Sequence, residues 1–258
     1  MMKKLSVFVF LLLYSLLFSQ NGKAVMQITY ETRIISDTLN RQNVQQYEMI
    51  LLCNATESVY FNREAKDFYT RSDKTAGIVT TAGIIPKYPK TEYSICKSDN
   101  TLTAFLPVGK YIFSFKEPDL KWEVLTDTKK VQNYHCRLAK TTSDTGDVFF
   151  AWYTEDIPIP EGPFRFKGLS GTVLEVYNKS RTIEISADSI QKNNETIAPL
   201  PYSSVVKAKT KKQYLEARKN YIDNPSMYNG NIKIFDAAGK EITHKIKDRL
   251  QKINVFLD

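Results

Sequence analysis

Between Lys23 and Ser36, polar and apolar positions alternate, with Val25, Gln27 and Thr29 on one side of an extended chain and Met26, Ile28 and Tyr30 on the other. A period of two marks a half-buried strand. The same reading predicts strands at 45–53, 58–62, 92–97, 101–106, 110–116, 121–126, 131–141, 147–154, 164–167, 172–178 and 181–189. Turn residues stand between them: Asn100, Pro107–Val108–Gly109, Pro118–Asp119, Ser143–Asp144–Thr145–Gly146 and Asn178–Lys179–Ser180. Such close punctuation predicts an antiparallel meander. Two stretches break the rhythm. Residues 74–91 carry "TAGI" twice and then Pro86 and Pro89, which predicts a long surface loop, a lid or a crossing segment. Residues 156–163, DIPIPEGP, hold three prolines and predict an extended connector, because proline lacks the N–H that a central strand needs.

After Pro201 the period changes to that of a helix. Tyr214, Ala217 and Tyr221 share a face within a helix expected over about 203–222, started by Ser203 or Ser204 and stopped by Asp223–Asn224–Pro225. A small hairpin is expected over 231–243. Ile242, Ile246, Leu250 and Ile253 then form one stripe of a helix over about 243–254, and 255–257 reads as a docked terminal strand. Strands followed by helices predict a mainly β (β-rich α+β) fold, a curved antiparallel sheet or half-barrel with C-terminal helices.

Residues 1–20 join Lys3 and Lys4 to a run of about 14 apolar residues, too short to span a bilayer, and read as a secretory signal peptide cleaved near Gln20. Residues 21–258 are then a single β-rich domain with no transmembrane span, and the expected location is the periplasm or cell envelope. Losing the leader takes away two lysines and leaves 34 basic against 28 acidic residues, net +6. An oxidising compartment permits a disulfide, but the chain has three cysteines, Cys53, Cys96 and Cys136, and the sequence does not say which two would pair. Alternation across Tyr134–Leu138 makes Cys136 a buried residue or half of a bridge.

Few chemistries find their residues. Gly168–Leu169–Ser170–Gly171 lacks the spacing and the lysine of a phosphate loop, and strand-forming Thr172–Tyr177 follows where a dinucleotide site needs a helix. Nucleic-acid binding is not expected. The two histidines, His135 and His244, are more than a hundred residues apart, and no Cys-x-x-Cys spacing occurs, so neither a metal nor a cofactor is implied. No Gly-x-Ser-x-Gly elbow is present. Glu155, Asp156, Glu161 and Glu175 crowd one region and would be the acids of a carboxylate-dependent hydrolase if two of them met. Residues 205–220 carry six Lys or Arg against Glu216 alone, a face through which 207–219 can meet an anionic surface or an acidic partner.

The run FFAWYTEDIPIPEGPFRFKGLSGTVLEVYN, with NYHCRLAKTT upstream, resembles the GLPGLI family of exported Gram-negative proteins. The matching elements are Trp152, Ile157–Pro158, Gly162–Pro163, Phe164–Arg165–Phe166 and Gly168–Leu169–Ser170–Gly171–Thr172–Val173, with Tyr134 and Cys136 before them. Ser170 stands where the motif has proline, and Thr172–Val173 where it has Leu–Ile. The resemblance covers about 130–178. It implies an envelope location, a β-rich fold and a link to outer-membrane TonB-dependent receptors, near which such proteins are encoded. It supplies no catalytic residue. Trp152, Gly162, Pro163, Gly168, Leu169 and Gly171 are read as a structural signature, and Trp152, Tyr153, Phe164 and Phe166 as the candidate lining of a ligand site. The expectation is a non-enzymatic protein that binds or carries an apolar or peptide-like ligand. The alternatives are a module docking on an outer-membrane receptor and the carboxylate hydrolase.

Overall fold

The computed structural model describes residues 22–75, 88–229, 233, 239–243 and 245–257. The expected signal peptide, most of the expected 74–91 loop, most of the expected 231–243 hairpin and His244 lie outside the described residues. Twelve strands form one sheet: β1 (Met26–Ile35), β2 (Val44–Cys53), β3 (Ser58–Asn62), β4 (Ser94–Ser98), β5 (Thr101–Val108), β6 (Tyr111–Lys116), β7 (Glu123–Val131), β8 (Tyr134–Thr142), β9 (Val148–Thr154), β10 (Thr172–Asn178), β11 (Ile183–Lys192) and β12 (Val205–Lys207). The helices are α1 (Arg63–Thr75), α2 (Lys211–Asp223), α3 (Pro225–Asn229) and α4 (Lys245–Gln251). Among the described residues no helix is long and apolar enough to cross a membrane.

The strand order is β12-β6-β5-β4-β3-β2-β1-β11-β10-β9-β8-β7, two meanders joined where β1 pairs with β11. Ten ladder steps separate β6 from β7. Laid flat they would extend about 48 Å at about 4.8 Å each. Yet the chain passes from Lys116 to Glu123 in seven residues, which reach at most about 25 Å. The sheet therefore has to curl until its two ends face one another, and this makes the half-barrel expected from the sequence.

Curling creates an inner face. Tyr30, Leu51, Ile95, Phe149, Val176 and Ile185 pack there in one cluster drawn from both meanders. On the outer face α1 lays Ala65 and Tyr69 on Ile50, Leu52, Val59 and Phe61, and Leu200 joins the same cluster. This explains why Met49–Cys53 is apolar without alternation: Met49, Leu51 and Cys53 face inward while Ile50 and Leu52 lie under α1. At the β4–β5 turn Asp99 and Asn100 both take positive φ, the two-residue hairpin geometry that suits these residue types.

Three expectations are corrected. Residues 164–167 are a turn: Phe164 sits at φ 51° and the Phe166 N–H bonds Pro163 O at 3.0 Å. The helix expected from 203 begins at Lys211, because β-branched Val205 and Val206 extend the sheet edge parallel to β6, and Thr210 accepts the Gln213 N–H as its cap. Helix α1 was not foreseen. Its apolar positions are few among charges, although Asn62 at its head accepts the Ala65 N–H at 3.1 Å. The later helix is also shorter than expected, Lys245–Gln251.

Candidate functional site

The segment 155–171 fills the inner face as a plug. It is tied to itself by Gly168 N–H to Pro160 O (3.1 Å) and to β10 by Val173 N–H to Glu161 O (2.9 Å) and Thr172 Oγ1 to Ile159 O (2.9 Å). Two glycines are required by contact. A Cβ on Gly162 would lie 2.2 Å from Phe166 O, and one on Gly171 would lie 2.0 Å from Thr154 O. Within the turn the side chains divide. Phe164 and Phe166 enter the apolar core, their rings 5.6 Å from Tyr93 and 4.8 Å from Phe149. Arg165 and Lys167 turn the other way, into two buried ionic clusters.

In the first cluster Lys167 Nζ donates to Glu161 Oε2 (2.6 Å), Gly162 O (2.8 Å) and Ser58 Oγ (3.1 Å), while Lys97 reaches Glu161 Oε1 at 2.7 Å. Burial opposes the Glu161 charge, but the two lysines outweigh it and hold its carboxyl below the usual range. In the second, Arg165 meets Glu117 (2.8 Å) and Asp144 (2.6 Å), and Lys211 meets the same two acids at 2.6 and 3.1 Å. Burial dominates at Glu117 and raises its pKa in spite of both cations, whereas at Asp144 burial is the largest single influence but Arg165 and Lys211 together outweigh it and lower the pKa. Glu117 Oε2 and Arg165 Nε are buried without hydrogen-bond partners.

Beside the plug lies an apolar cleft of about 270 Å3. Ile34, Tyr47, Tyr93 and Leu106 form its sheet wall, Phe164 its end, and Tyr214, Tyr221 and the tail from Leu250 to Leu257 its roof. The tail is pinned by Asn254, whose N–H bonds Ser36 O at 2.9 Å and whose side chain bonds Thr38 at 2.7 Å. Tyr93 is buried and its hydroxyl has no hydrogen-bond partner. Burial, with the neighbouring Tyr47 and Tyr60, raises its pKa well above the ordinary phenol value.

Of the four aromatics expected to line a site, Phe164 alone lines this cleft. Tyr153 and Phe166 are core residues. Trp152 occupies the opposite sheet face, its ring under Lys129 at 4.7 Å, since consecutive strand residues cannot share a face. Leu169 is buried in the core beside them. The four crowded acids are held by different groups. Glu155 accepts from Ser170 Oγ at 2.5 Å, Asp156 from the His135 N–H at 3.1 Å, Glu161 from its two lysines, and Glu175 from Lys129. The basic stretch also divides. Lys211 is buried in its cluster and Arg218 lies over Phe256 at 3.9 Å, while Lys207, Lys209, Lys212 and Lys219 stay exposed. All three cysteines are free. The sheet separates Cys53 on the inner face from Cys96 against the outer cluster, and burial pushes the Cys53 and Cys136 thiols up to about 12 and about 11. The cleft and the clusters depend on Tyr93, Lys97, Glu117 and Lys211, none of which carries a recognisable motif.

The family model described as N-glycanase peptide, N-terminal domain, matches residues 62–216, more than half of the chain. The chain belongs to this family. Two solved structures of PNGF-II share the fold, with TM-scores of 0.53 and 0.51 at 15% and 16% identity. In both cases the likeness covers 76% of this chain and 33% of the PNGF-II chain, so it spans about one third of those proteins. No curated protein matches the sequence. The N-glycanase N-terminal-domain match contains the plug, every charged residue of the two ionic clusters, and the Tyr93, Leu106, Phe164 and Tyr214 walls of the cleft. Ile34, Tyr47 and the tail that roofs the cleft lie outside it.

Proposed function

We propose that the chain is a non-enzymatic ligand-binding module of an exported cell-envelope protein, and that its cleft takes an apolar side chain of a peptide-like ligand. The observation that carries this reading is the apolar cleft of about 270 Å3 between the sheet, Phe164 and the tail, with Tyr93 among its lining residues. Apolar walls with a few placed polar groups are the general form of a small-ligand site. The family description joins N-glycanase to peptide. Of the two chemistries, the apolar lining suits a peptide side chain, because a sugar needs hydrogen-bond partners for its hydroxyls. The Tyr93 hydroxyl would donate to a backbone carbonyl of that ligand. Export rests on the leader-like residues 1–20 and on the resemblance of about 130–178 to the GLPGLI family.

Titration calorimetry with an acetylated tripeptide amide bearing a central Phe tests the reading. Saturable heat is expected from the wild type, with none from Val255→Trp, which fills the roof of the cleft at a half-buried tail position. Equal binding by both proteins, or none by either, rejects it.

A further inference from the structure

A second cavity, of about 250 Å3, shares no lining residue with the cleft and is lined by Lys97, Asn100, Asp119, Arg165, Lys167 and Gly168 with two leucines. Three cations thus reach it. Among the described residues Asp119 is the one acid lining it, and Asp119 is exposed. The acids that balance the cations, Glu161, Glu117 and Asp144, do not line it.

The hydrogen-bond inventory is unbalanced in the same direction. Lys167 spends all three protons, on Ser58, Glu161 and Gly162. Lys97, whose side chain is 16% exposed, spends one of its three on Glu161. Arg165 is 2% exposed; Nη1 and Nη2 are engaged, and Nε has no partner. A buried guanidinium N–H left unpaired is costly, and an acceptor carrying negative charge relieves that cost most strongly. Spare protons on Lys97, in a cavity also lined by Arg165 and Lys167, are complementary to an oxyanion. Gly168, at φ +87° with open space around its Cβ position, leaves the cavity edge clear.

We propose that this cavity is an anion site for a ligand bearing a carboxylate or a phosphate, held by Lys97 in the field of Arg165 and Lys167. It is separate from the apolar cleft in place and in chemistry. Thermal unfolding tests it in sodium phosphate and in sodium glucuronate, each against sodium chloride at equal ionic strength. At a hundredfold excess over Kd, a bound anion raises the midpoint by about 5 °C or more. A rise in phosphate alone assigns the site to phosphate groups, and one in glucuronate alone to carboxylates. Either rise should vanish in Lys97→Met. It should weaken in Gly168→Asn, which keeps the left-handed backbone and the charge while crowding the edge. No rise with either anion, or an equal rise in both variants, overturns the proposal.

Discussion

Arg165 and Lys167 stand two residues apart on one turn, and the acids they meet respond in opposite directions. Glu161 is fully buried, yet its carboxyl is held below the usual range, while Glu117, buried to a similar extent, is raised. The number of partners accounts for the difference. Glu161 has two cations to itself, and both of its oxygens are bonded. Glu117 shares its two cations with Asp144, and its second oxygen has no partner. A buried charge is tolerated where every lone pair is met, and it is penalised where one is left over.

The largest expected effect breaks the comparison at its better-satisfied side. Glu161→Gln leaves Lys167 buried beside a neutral group, and removing one partner of a buried pair costs about 3–5 kcal/mol. Glu117→Gln retains Asp144 for both Arg165 and Lys211 and removes a charge that was incompletely paired, so its cost should be about 1 kcal/mol. Urea unfolding of the two variants measures both. Equal losses would mean that partner number does not govern these clusters.

Acid titration of stability sharpens the same contrast. The depressed pKa of Glu161 contributes stability that is complete above the ordinary glutamate value of about 4.3 and is lost as pH falls through the lower folded value. The raised pKa of Glu117 works in reverse: its contribution is complete below that ordinary value and is lost as pH rises through the higher folded value. Glu161→Gln should therefore flatten the loss of stability below about pH 4.3. Glu117→Gln should remove a decline that the wild type shows above it. A decline that persists unchanged in Glu117→Gln would contradict the raised pKa.

The two halves of the turn also differ in how far they could be read from the sequence. The strands were legible because alternation and turn residues repeat along the chain, and the curled sheet follows from their order. Gly162, Gly168 and Gly171 announced a backbone constraint, and contact distances at Gly162 and Gly171 explain two of them. The aromatic step Phe164–Arg165–Phe166 correctly put its two rings together, but alternation was applied to a segment that is a turn. The ionic clusters were not legible. Lys97, Glu117, Asp144 and Lys211 come from four separate elements or turns, and nothing local distinguishes a buried lysine from a solvated one. Lys211 in particular was counted with an exposed basic face, although the inward side of α2 carries it to Glu117.

The smallest expected effect concerns the Tyr93 hydroxyl, which, like Glu117 Oε2 and Arg165 Nε, is buried with no partner at hydrogen-bond distance among the described residues, lies outside both clusters and is uncharged at neutral pH. Tyr93→Phe deletes that group and leaves the ring against Phe164 and Tyr47. In the free protein the change should stabilise by up to about 1 kcal/mol, since an unmet hydroxyl is no longer buried. With the Phe-centred tripeptide bound, the sign should reverse, because the ligand loses the donor it uses. Chemical unfolding with and without the peptide reads both signs on one variant. Stabilisation in both states would show that the hydroxyl is merely an unpaired group in a packed wall, and destabilisation in the free protein would show that it already has a partner among its neighbouring tyrosines.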